Sequence, residues 1–262
     1  MKSIKGKVAL VTGASSGIGK AFAYKLAEMG ADLILTARRE DKLQELAVKL
    51  NHKYGIRVFV FANDLVRKEA PEKLYGQVIK AGLSVDLLVN NAGYGKWTNF
   101  LDETIEAYDD MLELNINALV KLTHLFIPGM LEKGMGGIIN VASTGALQPC
   151  PYVGVYCASK SFVLAFSEAL HGEYYKKGLT ITALCPGNTT TGFQSIAKAN
   201  TKGMSADSAE TVAEAGIKSM LNGKSFKIVG FANYLTSFIP RVFPRKTVIN
   251  IVSNMMYKRV NG

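Results

Sequence analysis

Six short apolar runs alternate with helical patterns along the first 185 residues, and no other feature constrains the fold as strongly. The runs are almost continuously apolar, which is typical of strands buried on both faces. The predicted strands are Val8–Thr12, Asp32–Ala37, Val58–Ala62, Leu87–Asn90, Gly137–Ala142 and Leu179–Cys185. Strands separated by helices indicate βαβ units. We therefore predict a single α/β domain, a doubly wound parallel sheet with helices on both faces.

The segments between the strands carry their apolar residues on one stripe, as amphipathic helices do. The predicted helices are Ile18–Met29, Asp41–His52, Ala70–Ala81, Ile105–Leu125 and Ser159–Lys177. After Pro186 the pattern changes. Asn188–Met204 is predicted to be a mobile loop, and Asp207–Glu210 a capping box that starts a helix reaching about Leu221. In the tail, Pro240 and Pro244 are predicted to break any long helix.

Composition excludes several classes of protein. A chain of 262 residues with 48% hydrophobic residues is large enough to bury one core without a metal or a disulfide. Its three cysteines lack CxxC spacing and its three histidines are scattered, so we predict no metal site and a reducing, cytoplasmic compartment. The N-terminal apolar run Val8–Val11 is too short to predict a signal peptide or a membrane span.

A glycine-rich turn follows the first predicted strand and precedes the first helix. Gly13 permits a tight turn, Gly17 lets the backbone approach a phosphate, and Gly19 lets helix and strand pack closely. Backbone N–H groups at Ser15, Ser16 and Ile18 then lie at the positive end of the helix, a natural site for a pyrophosphate. The alternative is a glycine turn without a ligand.

The second predicted strand ends at Ala37 and is followed by Arg38 and Arg39. Sites selective for NAD place an acid at this position, whereas an arginine accommodates the 2′-phosphate of NADP. A guanidinium can hold that phosphate with two hydrogen bonds. We therefore predict NADP(H) as the cofactor. The alternative is that both arginines simply begin a solvated helix.

Tyr156 and Lys160 are four residues apart, a spacing that places two side chains on one face of a helix. A nearby ammonium stabilises a phenolate and would make Tyr156 a usable acid and base. Ser143 follows a predicted strand, at the sheet edge where ligands bind. By spacing alone such a Tyr/Lys pair is more often an ordinary surface pair, and it indicates catalysis only because it occurs together with the glycine turn and Ser143.

Together these motifs resemble the short-chain dehydrogenase/reductase family along residues 5–190, which implies a Rossmann-like fold. The resemblance implies a catalytic set of Asn115, Ser143, Tyr156 and Lys160, with Asn115 holding a water that relays protons. Ser143 and Tyr156 would also bind the substrate. The implied cofactor contacts are the glycine turn, the two arginines, Tyr156 and Lys160, and in addition Asp64, Leu65, Asn91, Ala92, Gly93, Pro186, Gly187, Thr189 and Thr191. Such a set transfers hydride between a nicotinamide and a carbonyl or alcohol.

Two other functions are alternatives to an oxidoreductase. The first is a non-catalytic NADP(H)-binding regulator or sensor on the same fold, which would not need the acid–base pair. The second is a nucleic-acid binder, suggested by the net charge of +10 but lacking the basic, aromatic-interleaved runs of such proteins. We therefore predict no nucleic-acid partner.

Substrate specificity is predicted to depend on the loop and lid at 188–222 and on the tail at 225–262. Tyr94, Trp97, Phe193 and Ile196 are candidate pocket or lid residues, while Cys150 and Cys157 are either pocket or packing thiols. Thr189 replaces the Val or Ile common in the family, and the tail lacks the family's usual closing strand with Asp-Gly-Gly. The tail instead resembles those of acyl and steroid reductases, which favours a bulky, apolar carbonyl substrate.

The positive charge is concentrated in the tail. Between Ala215 and Gly262 there are eight Lys and Arg residues and no Asp or Glu. Such a segment could contact an anionic membrane surface, or it could be a solvated face. The family resemblance also implies a homo-dimer or a homo-tetramer.

Overall fold

Seven parallel strands form one sheet in the computed structural model, which describes residues 1–261. These seven strands are β1 Val8–Thr12, β2 Asp32–Thr36, β3 Val58–Val60, β4 Leu87–Asn90, β5 Gly136–Val141, β6 Leu179–Cys185 and β9 Phe226–Ile228. Two short strands, β7 Thr189–Thr190 and β8 Asp207–Ser208, pair in a separate sheet. The order across the large sheet is β3-β2-β1-β4-β5-β6-β9, with every neighbouring pair parallel. The predicted doubly wound parallel sheet is confirmed.

Helices cover both faces of this sheet. They are α1 Gly17–Glu28, α2 Glu40–Tyr54, α3 Ala70–Lys80, α4 Ile105–Leu112, α5 Ala118–Glu132, α6 Gly154–Tyr174, α7 Phe193–Ala197, α8 Ala209–Leu221, α9 Phe231–Thr236, α10 Ile239–Val242 and α11 Arg245–Asn261. A π-helical turn, Glu113–Asn117, joins α4 to α5. By length and composition alone, the helical stretch 105–132 is long and apolar enough to cross a membrane, but its Leu122 and Phe126 are buried in the core.

Two cores lie on opposite faces of the sheet and explain why the strands are apolar at every position. Successive side chains of a strand point to opposite faces. Along β1, Val11 packs into the core under α1, α2 and α8, whereas Leu10 packs into the core under α3 and α5. Each strand residue therefore meets apolar neighbours on whichever face it points to.

The order of the strands also positions the ligand site. The chain runs from β1 outward through β2 to β3, and then crosses to the other side of β1 to form β4. The loops after β1 and β4 therefore diverge and leave a crevice at the carboxyl edge of the sheet, where ligands of such folds bind. Apart from Asn115 in the π-helical turn, the predicted site residues follow one of these strands or begin the helix after it.

The segment predicted as a loop, Asn188–Met204, contains two short elements. Thr189 in β7 pairs with Asp207 in β8, and α7 follows. The predicted helix to Leu221 is confirmed, but its cap lies one residue later than predicted, because the hydroxyl of Ser208 accepts the N–H of Thr211 at 3.1 Å.

The tail differs from its prediction in two ways. A closing strand, β9, does form and pairs with β6, although it lacks the Asp-Gly-Gly sequence. A helix of 17 residues, α11, follows Pro244. Proline does not oppose a helix that begins just after it, since the N–H it lacks would have no partner within the helix there. Pro244 therefore separates α10 from α11 and does not prevent a long helix.

Candidate active site

The glycine turn between β1 and α1 requires glycine at three positions. Gly13 and Gly17 have φ values of +65° and +54°, in the left-handed region that favours glycine. A Cβ at Gly19 would lie 2.3 Å from the carbonyl oxygen of Gly13. Because α1 begins at Gly17, its first N–H groups have no acceptor within the helix and remain available to a phosphate.

Thr12 and Asn91 tie this turn to the end of β4. The hydroxyl of Thr12 accepts the backbone N–H groups of Asn91 and Ala92, each at 2.9 Å. The side-chain amide of Asn91 donates to the carbonyl oxygen of Thr12, also at 2.9 Å. Sequence reasoning placed Asn91 against the cofactor. That contact stays a prediction; the structure shows that the Asn91 side chain also holds the glycine turn in place, and that Thr12 is a positioning residue that the motif alone did not single out.

The predicted 2′-phosphate site is assembled from two separate segments. Arg39 donates from Nη2 to the hydroxyl of Ser15 in the glycine turn at 3.0 Å. Arg38 lies next to it and is exposed. The Ser15 hydroxyl and the Arg39 guanidinium thus lie together at the edge of the turn, and no carboxylate stands at the end of β2 to repel a phosphate. These residues fit NADP(H).

The segment after β3 lies beside this edge. The N–H of Asn63 donates to the carbonyl oxygen of Ala37 at 3.1 Å, which brings Asp64 to the end of β2. Asp64 is half-buried and accepts the N–H of Val66 at 3.4 Å. The side chain of Leu65 is buried in the core, so only its backbone remains to contact an adenine.

Three of the four residues predicted to be catalytic, Ser143, Tyr156 and Lys160, lie just after β5 and on α6, and β5 and α6 pack together. Lys160, only 4% exposed, donates from Nζ to the carbonyl oxygen of Val141 at 2.8 Å. The same Nζ lies 5.8 Å from the centre of the Tyr156 ring. Ser143 follows the strand, and its Oγ accepts the N–H of Gly145 at 3.1 Å. The trio therefore occupies one edge of the crevice.

Burial sets the protonation of Tyr156 and Lys160. It raises the pKa of the Tyr156 phenol well above its usual value of 10, and the Ser143 hydroxyl opposes that shift. Burial also lowers the pKa of the Lys160 ammonium to about 8. At neutral pH the phenol is thus protonated and able to donate a proton, beside an ammonium that is still charged.

Asn115 occupies the π-helical turn, a type of helical defect that often marks functional sites. Its side-chain oxygen accepts the N–H of Tyr94 at 3.1 Å, and its amide donates to the Tyr94 carbonyl at 2.9 Å and to the Ser159 hydroxyl at 3.0 Å. Ser159 in turn donates to the carbonyl oxygen of Tyr156 at 2.7 Å. Asn115 therefore braces the helix of Tyr156 against the loop after β4, and its predicted role in holding a water stays a prediction.

Gly93 explains how closely these groups approach. A Cβ at Gly93 would lie 2.8 Å from Oδ1 of Asn115 and 3.2 Å from Nζ of Lys160. Only glycine fits between the two without displacing one of them. Gly93, predicted from the sequence only as a cofactor contact, thus also lies against Asn115 and Lys160.

A buried polar chain, not anticipated from the sequence, connects β4, β5 and α6. Asn90 donates to Oδ1 of Asn140 at 2.9 Å, and Asn140 donates to the hydroxyl of Ser167 at 2.9 Å. Buried polar groups with partners restrict the packing of the elements that carry them. Here they set the strand that ends at Ser143 against the helix that carries Tyr156.

The segment after β6, which is predicted to contact the cofactor, approaches the glycine turn. Thr191 lies 3.2 Å from the position that a Cβ of Gly17 would take. Thr189, the departure from Val or Ile, is buried, and its hydroxyl donates to the carbonyl oxygen of Gly187 at 3.1 Å. The hydroxyl is thus satisfied locally. Pro186 accepts the N–H of Thr144 at 2.9 Å, which joins this segment to the loop of Ser143.

Of the lid candidates, Phe193 contacts Tyr156. Its ring centre lies 5.5 Å from that of Tyr156, and a Cβ at Gly95 would lie 2.8 Å from the same tyrosine ring. Ile196, by contrast, is 54% exposed. The hydroxyl of Tyr94 donates to the carbonyl oxygen of Ala107 at 3.0 Å, which holds the Tyr94 side chain against α4.

A cavity of about 300 Å³ borders Tyr156. It lies between the loop after β4 and the start of α6, and most of its side chains are apolar or aromatic. The lining residues are Lys96, Thr98, Phe100, Tyr108, Pro151, Tyr152, Val153, Gly154, Val155 and Tyr156. Lys96 is paired with Glu103 at 2.9 Å, so its charge is already compensated. The cavity suits an apolar substrate.

The cysteines pack and do not cross-link. Cys150, Cys157 and Cys185 are free thiols. Cys157 is buried in a cluster with Trp97 and α11, and Cys150 packs against that cluster. Of the two roles considered for Cys150 and Cys157, lining the pocket or packing, the structure shows packing. Within residues 1–261, no three His, Cys, Asp or Glu side chains are grouped so that they could hold a metal ion.

Comparison with known proteins identifies relatives along nearly the whole chain. A family model described as short chain dehydrogenase matches residues 7–202. A very-long-chain 3-oxoacyl-CoA reductase from Anas platyrhynchos is 32% identical over 258 residues, covering 94% of this chain and 79% of that protein.

Two solved structures show the same arrangement. A short-chain dehydrogenase from Sphingobium yanoikuyae in complex with NADPH has a TM-score of 0.82 at 27% identity, covering 92% of this chain and 94% of its own. The L-sorbose reductase from Gluconobacter frateurii, complexed with NADPH and L-sorbose, has a TM-score of 0.78 at 30% identity, covering 87% and 96%.

Replacing Thr12 by Val should weaken NADPH binding about tenfold, which corresponds to about 1.4 kcal/mol. The change preserves shape but removes the acceptor for the N–H groups of Asn91 and Ala92, so the glycine turn is no longer held to β4. Fluorescence titration with NADPH measures the effect. Thr12→Ser keeps the hydroxyl and is the matched control. Equal affinities for the two variants would contradict the positioning role of Thr12.

Replacing Arg39 by Ala should raise the dissociation constant of NADPH by about tenfold or more and leave that of NADH nearly unchanged, because only NADPH carries the phosphate that the guanidinium meets. Titration of each variant with both nucleotides gives the two constants. Arg57→Ala is the control, since Arg57 pairs with Asp32 at the opposite edge of the sheet. A parallel loss of NADH affinity would show that Arg39 supports the fold and does not read the phosphate.

Proposed function

The chain belongs to the short-chain dehydrogenase/reductase family, and from that premise we propose that it reduces a bulky, apolar ketone, with the 3-oxo group of a fatty acyl thioester as the leading candidate. It is an NADP(H)-dependent oxidoreductase of carbonyl and alcohol groups. The observation that carries the substrate class is the cavity beside Tyr156, whose side chains are mostly apolar and aromatic.

The chain's own residues divide the work of the reaction. NADPH, when bound, supplies the hydride that reaches the carbonyl carbon. The glycine turn and Arg39 hold its phosphates, while the segment around Thr191 approaches the same turn from the β6 side. The protein contributes position and electrostatics, and it keeps the reacting carbonyl beside Tyr156 and Ser143.

Proton transfer is the task of Tyr156. Its hydroxyl proton goes to the carbonyl oxygen as that oxygen gains negative charge, and the Ser143 hydroxyl orients the oxygen through a hydrogen bond. The phenolate left behind is stabilised by the Lys160 ammonium, which lies on the same side of α6. Because burial raises the pKa of Tyr156, the free protein holds the proton that reduction consumes. This supports reduction as the working direction.

The apolar cavity and the identity of the relatives support the same substrate class. Burying a methylene group contributes about 0.8 kcal/mol, so an acyl chain that fills the cavity gains binding energy with each carbon. The Anas platyrhynchos relative is named for a 3-oxoacyl-CoA substrate. A polyol such as L-sorbose would leave its hydroxyls without partners against these walls, at a cost for each group.

The cytoplasmic location and the homo-oligomer expected from the sequence stay predictions. The three free thiols are consistent with a reducing compartment.

The activity of wild-type protein should rise with the length of the acyl chain. With NADPH and a series of 3-oxoacyl-CoA substrates, we expect kcat/KM to increase about fourfold for each methylene buried, until the cavity is filled. NADPH absorbance follows the reaction. Tyr156→Phe should bind NADPH normally and lose nearly all turnover. Val155→Trp narrows the cavity and should penalise long chains while sparing a small ketone.

Two results would count against this function. Turnover close to wild type in Tyr156→Phe would remove the acid–base assignment. A preference for L-sorbose or for short ketones over long acyl chains would remove the substrate class and leave the reaction type intact.

The rate of reduction should fall as pH rises above about 8. Lys160 has its pKa lowered to about 8 by burial, so it loses its charge there and no longer stabilises the phenolate of Tyr156. A kcat profile between neutral and alkaline pH measures this. The guanidinium of Lys160→Arg stays charged, so the residual activity of that variant should lack the decline. An unchanged decline in Lys160→Arg would assign it to another group.

A further inference from the structure

The helices α9 and α10 present large apolar side chains to solvent. Phe231 is 76% exposed and Val242 is 75% exposed. We call this surface the C-terminal apolar face. Its members are Phe231, Tyr234, Leu235, Phe238, Ile239, Val242 and Phe243, all of them exposed. Contiguous apolar surface of this kind marks a site of interaction in otherwise globular proteins.

An ordinary surface helix turns its apolar stripe toward the core. The helices α9 and α10 are oriented the other way. Here polar residues face the protein. Asn233 donates to the carbonyl oxygen of Val229 at 2.8 Å, and Ser237, only 8% exposed, donates to the carbonyl oxygen of Tyr234 at 2.6 Å. The next helix, α11, does turn apolar residues inward, with Val248 and Val252 buried. Although α11 also exposes Ile251 and Met255, it has a buried apolar stripe, whereas α9 and α10 bury no residue.

Cations border the C-terminal apolar face. Arg241 lies 5.8 Å from the centre of the Phe238 ring, and Arg245 and Lys246 begin α11 immediately after the face ends. All three are exposed, and within residues 1–261 none of them forms an ion pair with an Asp or a Glu. The sequence from Ala215 to Gly262 has no acidic residue at all. The face is therefore apolar in its centre and positive at its border.

We propose that the C-terminal apolar face docks on a membrane surface that contains anionic lipids. Apolar and aromatic side chains would enter the boundary between headgroups and acyl chains, and Arg241, Arg245 and Lys246 would meet the lipid phosphates. The segment lies on the membrane and does not cross it, because α9 has six residues and α10 has four.

The charge distribution favours this occupant over a second copy of the chain. In a two-fold symmetric dimer both copies contribute the same patch, so the interface would gather two sets of border cations. The tail contains no acidic residue to compensate them. An anionic bilayer supplies both the apolar layer and the countercharge. This proposal concerns where the protein is held, and it does not depend on which ketone is reduced.

The test is flotation of the purified full-length protein with vesicles of phosphatidylcholine, with or without phosphatidylserine, at low and at high salt. Wild-type protein should float with the anionic vesicles at low salt and much less at high salt, where the screening length is shorter. Arg241→Glu with Arg245→Glu and Lys246→Glu should weaken binding about fivefold for each cation removed. Phe231→Ser with Leu235→Ser and Val242→Ser should abolish it.

Matched variants separate docking from general effects. Lys73→Glu with Lys80→Glu and Lys176→Glu removes three exposed cations outside the tail and should bind as the wild type does. Val48→Ser with Ile79→Ser removes two exposed apolar side chains outside the tail and should also bind as the wild type does. Thermal unfolding with NADPH shows that each variant is folded.

Two outcomes would overturn the proposal. The first is binding that the tail variants do not reduce, or no binding by the wild type. The second is a wild type that does not float and whose mass in light scattering exceeds that of the Phe231→Ser, Leu235→Ser, Val242→Ser variant. That result would assign the face to contacts between copies of the chain.

Discussion

The close approach of the glycine turn to the end of β4 is the constraint on which the rest of the site depends. A Cβ at Gly13 would lie 2.8 Å from the side-chain nitrogen of Asn91, and one at Gly19 would overlap the Gly13 carbonyl. With glycine at both positions, the Thr12 hydroxyl can reach the N–H groups that follow β4. The cofactor cradle and the catalytic edge therefore belong to one rigid unit, in which a phosphate site and a proton donor keep a constant separation.

The catalytic edge depends on burial as much as on residue identity. Lys160 is held by the carbonyl oxygen of Val141, and Tyr156 is covered by Phe193 and Gly95. Removing water raises the pKa of the phenol and lowers that of the ammonium to about 8, so the two pKa values move apart. Proton transfer from Tyr156 then depends on the positive charge of Lys160. The hydrogen bond from Asn115 to Ser159 holds the part of α6 that carries both residues.

The predictability of each element follows from how local its cause is. The strands and helices of the first 185 residues were predictable because period and turn chemistry act over a few residues, although α5 extends past Leu125 to Glu132. The closing strand β9 was not, because three residues carry no period and their pairing with β6 is a tertiary contact. Likewise Pro240 and Pro244 showed where helices are interrupted, but not that α11 would begin directly afterwards and pack on the substrate side.

Sequence alone determined the reaction. The glycine turn, Arg39, Ser143, Tyr156 and Lys160 are chemical requirements carried by residue type and spacing, and the structure brings them to one crevice as the order of the strands demands. Only the tertiary structure decided what surrounds that chemistry: which walls line the cavity beside Tyr156, and that α9 and α10 turn their apolar side chains outward. The physical reason is that burial is a property of the whole chain. The same phenylalanine forms a core or an exposed docking face according to which neighbours the fold places against it.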